Sequence, residues 1–424
     1  MLVDAPDGTP LGFLEVDRIV AGRCCGGIRA TAGVTREELR RIAAVMTLKC
    51  GFVGLAVGGA KGGIVMPSGV SATERVERFA AYGRALGPIL RSGAWSHGVD
   101  LGTTPADIAV IRESAGLGGN RSRGVAALDG DSNTSSAEPA GLTVALATEA
   151  ALESLAIPVR GARVAVQGAG AVGRAAVAAL GRAGARIVAV ATIAGTVCRD
   201  DGFDIASLLE GLARRGDGFT GGAGAQPARS VLEVDCDALL VCAGTASVDF
   251  PAAVRLRART VICGANIPFA DRVEETLFDR GILVLPDFIA GAGGVLGTTL
   301  ETAAGAAPVE VESILRRRFK PLVAATVAAA AARSEPPAAE ASRRALRVLA
   351  ACDRAYEATR PPTLLPDRLA PDLSVAASVC LAIERRARGS SRLARIARRL
   401  HGRSLARAEE VLSASLAIGA EGVG

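Results

Sequence analysis

Of the 49 Lys and Arg residues in this 424-residue chain, only Lys49, Lys61 and Lys320 are lysines. The composition uses Arg wherever a cation serves, so a retained Lys marks work that Arg cannot do. An ammonium can release its proton, whereas a guanidinium stays charged. Lys49 and Lys61 lie twelve residues apart in one stretch, Thr47-Leu48-Lys49 through Gly58-Gly59-Ala60-Lys61-Gly62-Gly63. Chance survival of two lysines is the competing explanation, and the flanking glycines argue against it. Two ammonium groups brought together lower each other's pKa, and burial adds to the fall. One can then hold a substrate carboxylate while the other activates water or polarises a carbonyl. Such chemistry wants a nearby carboxylate to move protons. Asp100, in Gly98-Val99-Asp100-Leu101-Gly102, is the candidate; taken alone it reads equally as an Asx turn or a helix cap.

A second constellation follows Val164-Ala165-Val166, where Gly168-Ala169-Gly170-Ala171-Val172-Gly173 opens an Ala-rich segment. A GxGxxG between a strand and a helix has a specific physical reading. Gly168 allows the tight turn, Gly170 admits a pyrophosphate to the backbone, and Gly173 lets helix and strand pack closely. The helix N-terminus adds N–H donors for phosphate. The acid expected about twenty residues on, to grip a ribose, is replaced by Thr192. A neutral residue there removes repulsion against a 2′-phosphate, so NAD and NADP are both candidates, with Arg199 available to approach.

These groups need a scaffold. Half the residues are apolar but only 3% are aromatic, so the core must be built from Ala, Val, Leu and Ile, which suits α/β packing. The length suggests two domains. Residues 12–16 and 18–21 read as short strands. Thr35 and Glu38 form a capping box for a helix running to Lys49. Leu55-Ala56-Val57 is a brief apolar run that stops at Gly58-Gly59. Helices follow from Glu74 to Leu86, capped by Ser71 or Thr73, and from Asp107 to Ser114. Residues 116–138 read as a loop, then Leu142–Ser154 as a helix. Strands at 164–166, 187–191, 238–241, 260–263 and 282–285 alternate with helices, the pattern of a parallel doubly wound sheet. After about Glu301 the chain reads as helical, interrupted near 335–338 and 361–371.

Several function classes are disfavoured. The acidic start lacks the basic region of a signal peptide, and no run reads as a membrane span. Nine cysteines without a CxxC pair suit reduced thiols in a cytoplasm. The net charge of +6 comes from nine arginines between Arg385 and Arg407, without which the chain is slightly acidic. That run reads as an amphipathic basic helix on a solvated or inter-subunit face; it lacks the aromatics that stack nucleic-acid bases. His97 and His401 have no ligand spacing, so no metal site is expected. His97, three residues before Asp100, reads as structural rather than catalytic.

Taken in order, Arg23-Cys24-Cys25-Gly26-Gly27-Ile28-Arg29, Thr47-Leu48-Lys49-Cys50, Gly58-Gly59-Ala60-Lys61-Gly62-Gly63-Ile64, Val99-Asp100-Leu101-Gly102, Gly264-Ala265-Asn266-Ile267-Pro268 and Gly293-Gly294-Val295 resemble the glutamate/leucine/phenylalanine/valine dehydrogenase family over residues 10–330. The resemblance implies an α/β substrate-binding and oligomerisation domain over 1–140, a Rossmann domain over 141–305, a cleft between them, and a C-terminal helical segment over 306–424. It implies reversible NAD(P)-dependent oxidative deamination of an L-amino acid to a 2-oxo acid and ammonia by a homo-oligomer. Lys61 matches the catalytic lysine that activates water, and Asp100 the aspartate exchanging protons with the amino group. Lys49 matches the lysine on the α-carboxylate. Cys25, Gly59 and Thr298 fall at substrate positions. Gly168, Gly170, Ala171, Val172, Gly173, Thr192, Ala243, Gly244 and Asn266 fall at cofactor positions, Asn266 beside the nicotinamide ribose.

The chain departs from the family pattern at informative places. Members acting on glutamate carry Lys where this chain has Cys25, so a neutral, aliphatic side chain is the expected substrate. A glutamate dehydrogenase using Arg23 as the replacement cation is the alternative. Gly291 stands for a usual Asn, and Ala140 for a Thr that contacts the nicotinamide amide. These leave open a catalytically reduced homologue serving as a ligand-binding or regulatory subunit.

Overall fold

The computed structural model describes residues 1–4, 10–117, 137–220, 224–304 and 306–359. Among the described residues two compact α/β units emerge, one from residues 1–117, 298–307 and 344–359, the other from 137–297 and 308–343. The helices after Ala307, expected as a segment of their own, are divided between these units.

In the first unit six strands form one sheet: β1 (Leu2–Asp4), β2 (Pro10–Val16), β3 (Cys24–Cys25), β4 (Ile28–Thr31), β5 (Gly58–Val65) and β6 (Trp95–Ser96). The order is β1-β2-β5-β3-β6, with β4 also on β5. β5 runs antiparallel to β2 and parallel to β3 and β4. Glycine normally weakens a strand, yet four of the eight β5 residues are Gly. The reason is close packing on both faces. A Cβ at Gly59 would fall 2.1 Å from the Ala43 carbonyl oxygen, and one at Gly62 would fall 2.8 Å from Trp95. Helix α1 (Arg36–Phe52) therefore lies directly on the Gly59 and Gly63 face, while α2 (Ala72–Ser92) and α3 (Pro105–Arg112) cover the other with a core of Phe79, Tyr82, Leu86, Trp95 and Ile111.

The second unit carries β7 (Arg163–Gln167), β8 (Arg186–Thr192), β9 (Gly195–Cys198), β10 (Ala238–Val241), β11 (Thr260–Cys263) and β12 (Leu283–Leu285) in the order β12-β11-β10-β7-β8-β9. All neighbours are parallel except β8 and β9. Strands β7, β8, β10 and β11 are buried beyond, at most, their first residue, as a sheet covered on both faces requires. Its helices are α4 (Ala137–Ser154), α5 (Ala171–Arg182), α6 (Ile205–Arg215), α7 (Phe250–Arg255), α8 (Val273–Asp279), α9 (Asp287–Ala290), α11 (Pro308–Ile314) and α12 (Lys320–Ala332); α10 (Gly293–Ala304) and α13 (Pro337–Thr359) run from one unit into the other. The third lysine is structural: Lys320 Nζ reaches Glu149 at 2.9 Å and Glu153 at 2.8 Å, joining α12 to α4.

Some sequence expectations shift. Residues 18–21 form no strand; Val20 makes one isolated bridge to Arg23, and Ala21 and Gly22 turn the chain with φ of 48° and 76°. Helix α2 passes through Pro88 to Ser92 rather than ending at Leu86. Helix α3 starts at Pro105, because Thr104 and Asp107 form a capping box. Helix α4 begins at Ala137, inside the expected 116–138 loop, most of which lies outside the described residues, as does the Arg385–Arg407 run.

Candidate active site

Side chains alternate across β5, so Lys61 shares a face with Gly59 and Gly63, the face on which α1 lies. Gly59 makes that approach possible, and its N–H donates to Thr47 Oγ1 at 3.0 Å. Thr47 in turn donates to Asp17 Oδ2 at 2.5 Å. These bonds hold the last turn of α1, with Lys49 and Cys50, against the strand bearing Lys61. Both lysines are buried, at 6% and 3% exposure. Cys25 pairs with Gly59 in register and lies 3.4 Å, sulfur to sulfur, from Cys50.

Asp100 is brought to the same place by a pinned turn. Its N–H donates to Thr103 Oγ1 at 2.8 Å, and Gly102, with φ of 80°, packs so closely on β4 that a Cβ would fall 2.0 Å from the Ala30 carbonyl oxygen. Lys61 Nζ then meets Asp100 Oδ1 at 2.9 Å, and Arg29 Nε donates to Oδ2 at 2.9 Å. Arg29 also donates to Glu38 at 2.5 Å, tying the site to the first turn of α1. Burial alone would raise the Asp100 carboxyl, but the charges and hydrogen bonds of Lys61 and Arg29 overcome it and hold the group down to about 2.

The thiols are equally polarised. The hydrogen bond from Cys50 lowers Cys25 against its own burial, helped by the charges of Lys61, Arg23 and Lys49. The contact with Cys25 and burial raise Cys50 well above its usual value. Lys49, Lys61, Asp100, Cys25 and Gly59 are thus brought into one neighbourhood. Thr298 is half-buried on α10, and His97 is buried with its ring 5.5 Å from that of Trp95. Two groups that sequence reasoning did not assign are Arg29 and Cys50. Both stand inside the quoted motifs, and an arginine two residues past a glycine pair in a buried strand was the available signal.

The second unit carries the glycine turn. Gly168 has φ of 90°, and a Cβ there would fall 2.6 Å from the Ala243 amide nitrogen; one at Gly173 would fall 2.2 Å from the Gly168 carbonyl oxygen. A Cβ on Gly170 would meet nothing within 4 Å, and Gly170 caps α5 with no side-chain bond to its first N–H groups. A tight turn with an open Gly and an uncapped helix start, at the point where strand order reverses between β7 and β10, fits a dinucleotide pyrophosphate. Gly244, after β10, is exposed, and Asn266 is half-buried in the turn after β11, next to Ile267, whose N–H donates to Asp287 at 2.7 Å. Thr192, expected at the ribose, is buried; its hydroxyl donates to the Phe219 carbonyl at 2.9 Å and accepts from the Ala194 N–H at 3.2 Å. Ile193, 82% exposed, and Ala194 face solvent in that turn. Arg199 is exposed, its guanidinium over the Phe203 ring.

Comparison with known proteins gives the same picture. The model of the Glu/Leu/Phe/Val dehydrogenase dimerisation domain matches residues 13–115, and that of the Glutamate/Leucine/Phenylalanine/Valine dehydrogenase family matches 131–358. Glutamate dehydrogenase B of Halobacterium salinarum is 33% identical over 319 residues, covering 69% of this chain and 70% of its own. The NADP-specific glutamate dehydrogenase of Saccharolobus shibatae is 29% identical, covering 70% and 71%. Among solved structures, a hetero-hexameric glutamate dehydrogenase from Thermus thermophilus in a leucine-bound form is 28% identical with a TM-score of 0.70, covering 85% of this chain and 88% of its own. An L-tryptophan dehydrogenase from Nostoc punctiforme shares the fold at 20% identity and a TM-score of 0.59, covering 84% and 96%. The protein with the buried Lys61–Asp100 pair and the open glycine turn belongs to the glutamate/leucine/phenylalanine/valine dehydrogenase family of NAD- or NADP-dependent amino acid oxidoreductases.

Proposed function

We propose that this chain catalyses reversible oxidative deamination of an L-amino acid with a neutral, aliphatic side chain. Gly168, Gly170, Ala171, Val172 and Gly173 would hold the pyrophosphate of a nicotinamide cofactor, with Ala243, Gly244 and Asn266 nearby in the fold; the cofactor would supply the acceptor for the hydride of the substrate α-carbon. Lys49 holds the α-carboxylate. Asp100 exchanges protons with the amino group, and Lys61 accepts the proton of the water that attacks the imine carbon, leaving a 2-oxo acid and ammonia. The 2.9 Å contact between Lys61 and Asp100 supports this division of labour. While both cations face it, Asp100 is a weak base. A neutral Lys61, the form that can take the water's proton, leaves Asp100 facing one cation fewer and therefore more basic. Arg29 remains charged throughout and keeps the carboxylate in place.

The observation that carries the substrate class is Cys25. A buried Cys25 sulfur beside another thiol offers no positive charge to a side-chain carboxylate. The second reading, glutamate held by Arg23, draws support from the action of the Arg23 charge on Cys25. A third, a leucine-binding subunit of a mixed assembly, draws support from the hetero-hexameric, leucine-bound relative. The match to a dimerisation domain supports self-association. The free thiols of all cysteines among the described residues support a reduced, cytoplasmic setting. Purified protein with NADH or NADPH, ammonia and a panel of 2-oxo acids separates these readings. Aliphatic oxo acids should outpace 2-oxoglutarate. Faster glutamate turnover would establish the Arg23 reading, and no turnover with any of them the subunit reading.

A further inference from the structure

No proton or hydride transfer of the proposed reaction passes through either thiol of the Cys25 and Cys50 pair, yet their placement is unusual. Cys25 lies on β3 and Cys50 in the last turn of α1, with exposures of 5% and 0%. The sulfur atoms are 3.4 Å apart. A disulfide needs roughly 2.05 Å, so closure asks for a movement of about 1 Å. The adjacent Cys24 points to the other face of the strand, where its thiol donates to the Ala94 carbonyl at 3.3 Å. Its burial pushes it up to about 12. The two members of the pair differ in the sense an exchange reaction needs. Lys61, Arg23 and Lys49 act on Cys25 and favour its thiolate, while burial favours the protonated form of Cys50.

We propose that Cys25 and Cys50 form a redox-sensitive dithiol site that reacts with hydrogen peroxide and closes to a disulfide, switching off the neighbouring substrate site. The Cys25 thiolate attacks one peroxide oxygen, the O–O bond breaks, and hydroxide leaves to become water, giving Cys25 sulfenic acid. The Cys50 sulfur then attacks the Cys25 sulfur and the S–O bond breaks. The departing hydroxide takes the Cys50 proton and leaves as a second water. Two thiols lose two electrons and two protons, and one peroxide becomes two waters. The bond ties β3 to the end of α1 beside Lys49 and removes the thiol that faces the substrate side chain. Its effect on turnover rests on the proposed reaction; the bond itself does not.

The test treats the full-length reduced protein with hydrogen peroxide, alkylates the remaining thiols and maps peptides by mass spectrometry while turnover is followed. The expected result is a Cys25–Cys50 cross-linked peptide lighter by two hydrogens, appearing with the loss of turnover, both reversed by dithiothreitol. In Cys50→Ala, turnover before oxidation is retained, no cross-link forms, and dimedone traps the Cys25 sulfenic acid. If that variant fails to fold, the wild-type peptide map still decides. Cys25 and Cys50 remaining alkylatable after peroxide, or cross-links formed elsewhere, would overturn the site. A cross-link that leaves turnover unchanged would overturn the switch. A cross-link in protein that turns over none of the 2-oxo acids upholds the dithiol site and removes the proposed reaction instead.

Discussion

Replacing Cys25 with Lys tests the substrate class directly. A glutamate side chain entering this site would bring its carboxylate to a buried thiol that lies 3.4 Å from a second thiol. Leaving a buried carboxylate without its partner costs roughly 3–5 kcal/mol, which at about 1.4 kcal/mol per tenfold is roughly two to three and a half decades in kcat/KM. Cys25→Lys supplies the missing cation, so the glutamate-to-leucine ratio of kcat/KM should rise by roughly that amount. Without a ligand the new ammonium joins Lys49, Lys61 and Arg23, and mutual repulsion should lower the Tm of the free variant. Steady-state assays with both amino acids in wild type, Cys25→Lys and Arg23→Gln complete the test. A wild type that prefers glutamate and loses that preference in Arg23→Gln, or a ratio unmoved by Cys25→Lys, refutes the reasoning.

Two predictions concern how the site is held. The Asp100 carboxyl sits at about 2 in the folded chain against a usual 3.8, so it contributes stability that is fully present above pH 4 and is lost as pH falls toward 2. The amount is about 2 kcal/mol. Urea titrations at pH 6 and pH 3 should show wild type losing more stability than Asp100→Asn, and equal losses would contradict the pairing. Gly59→Ala places a Cβ 2.1 Å from the Ala43 carbonyl oxygen. Helix α1 must then retreat from β5, at about 3 kcal/mol by the usual cost of overpacking. Denaturant midpoints should fall and KM for the amino acid should rise; an unchanged KM would separate Lys49 from the substrate.

The second sheet was legible because its strands are short apolar runs with a glycine turn at the expected place, signals that are local in sequence. The β5 strand was not. Glycine-rich Gly58–Val65 looks like a loop until α1 and Trp95 are seen pressing on its two faces, a tertiary demand that overrides strand propensity. The β8–β9 hairpin escaped for a related reason: its turn, Ile193-Ala194, lacks the usual Asn or Gly, and only Gly195 with φ of 144° relaxes it. Lys49, Lys61 and Asp100 were singled out by composition and motif, but nothing in spacing could reveal that Arg29 takes the second oxygen of Asp100. The Cys25–Cys50 contact likewise joins residues 25 positions apart through the Gly59 contact with α1.

The central claim is that Lys61 works by losing and regaining a proton beside Asp100. Lys61→Arg preserves the charge and the means to pair with Asp100 while removing proton transfer. The decisive measurement is turnover of this variant beside its cofactor affinity, read by NADPH or NADH fluorescence titration. The account predicts abolished turnover with unchanged cofactor binding; a variant that retains a substantial fraction of the wild-type rate would contradict it.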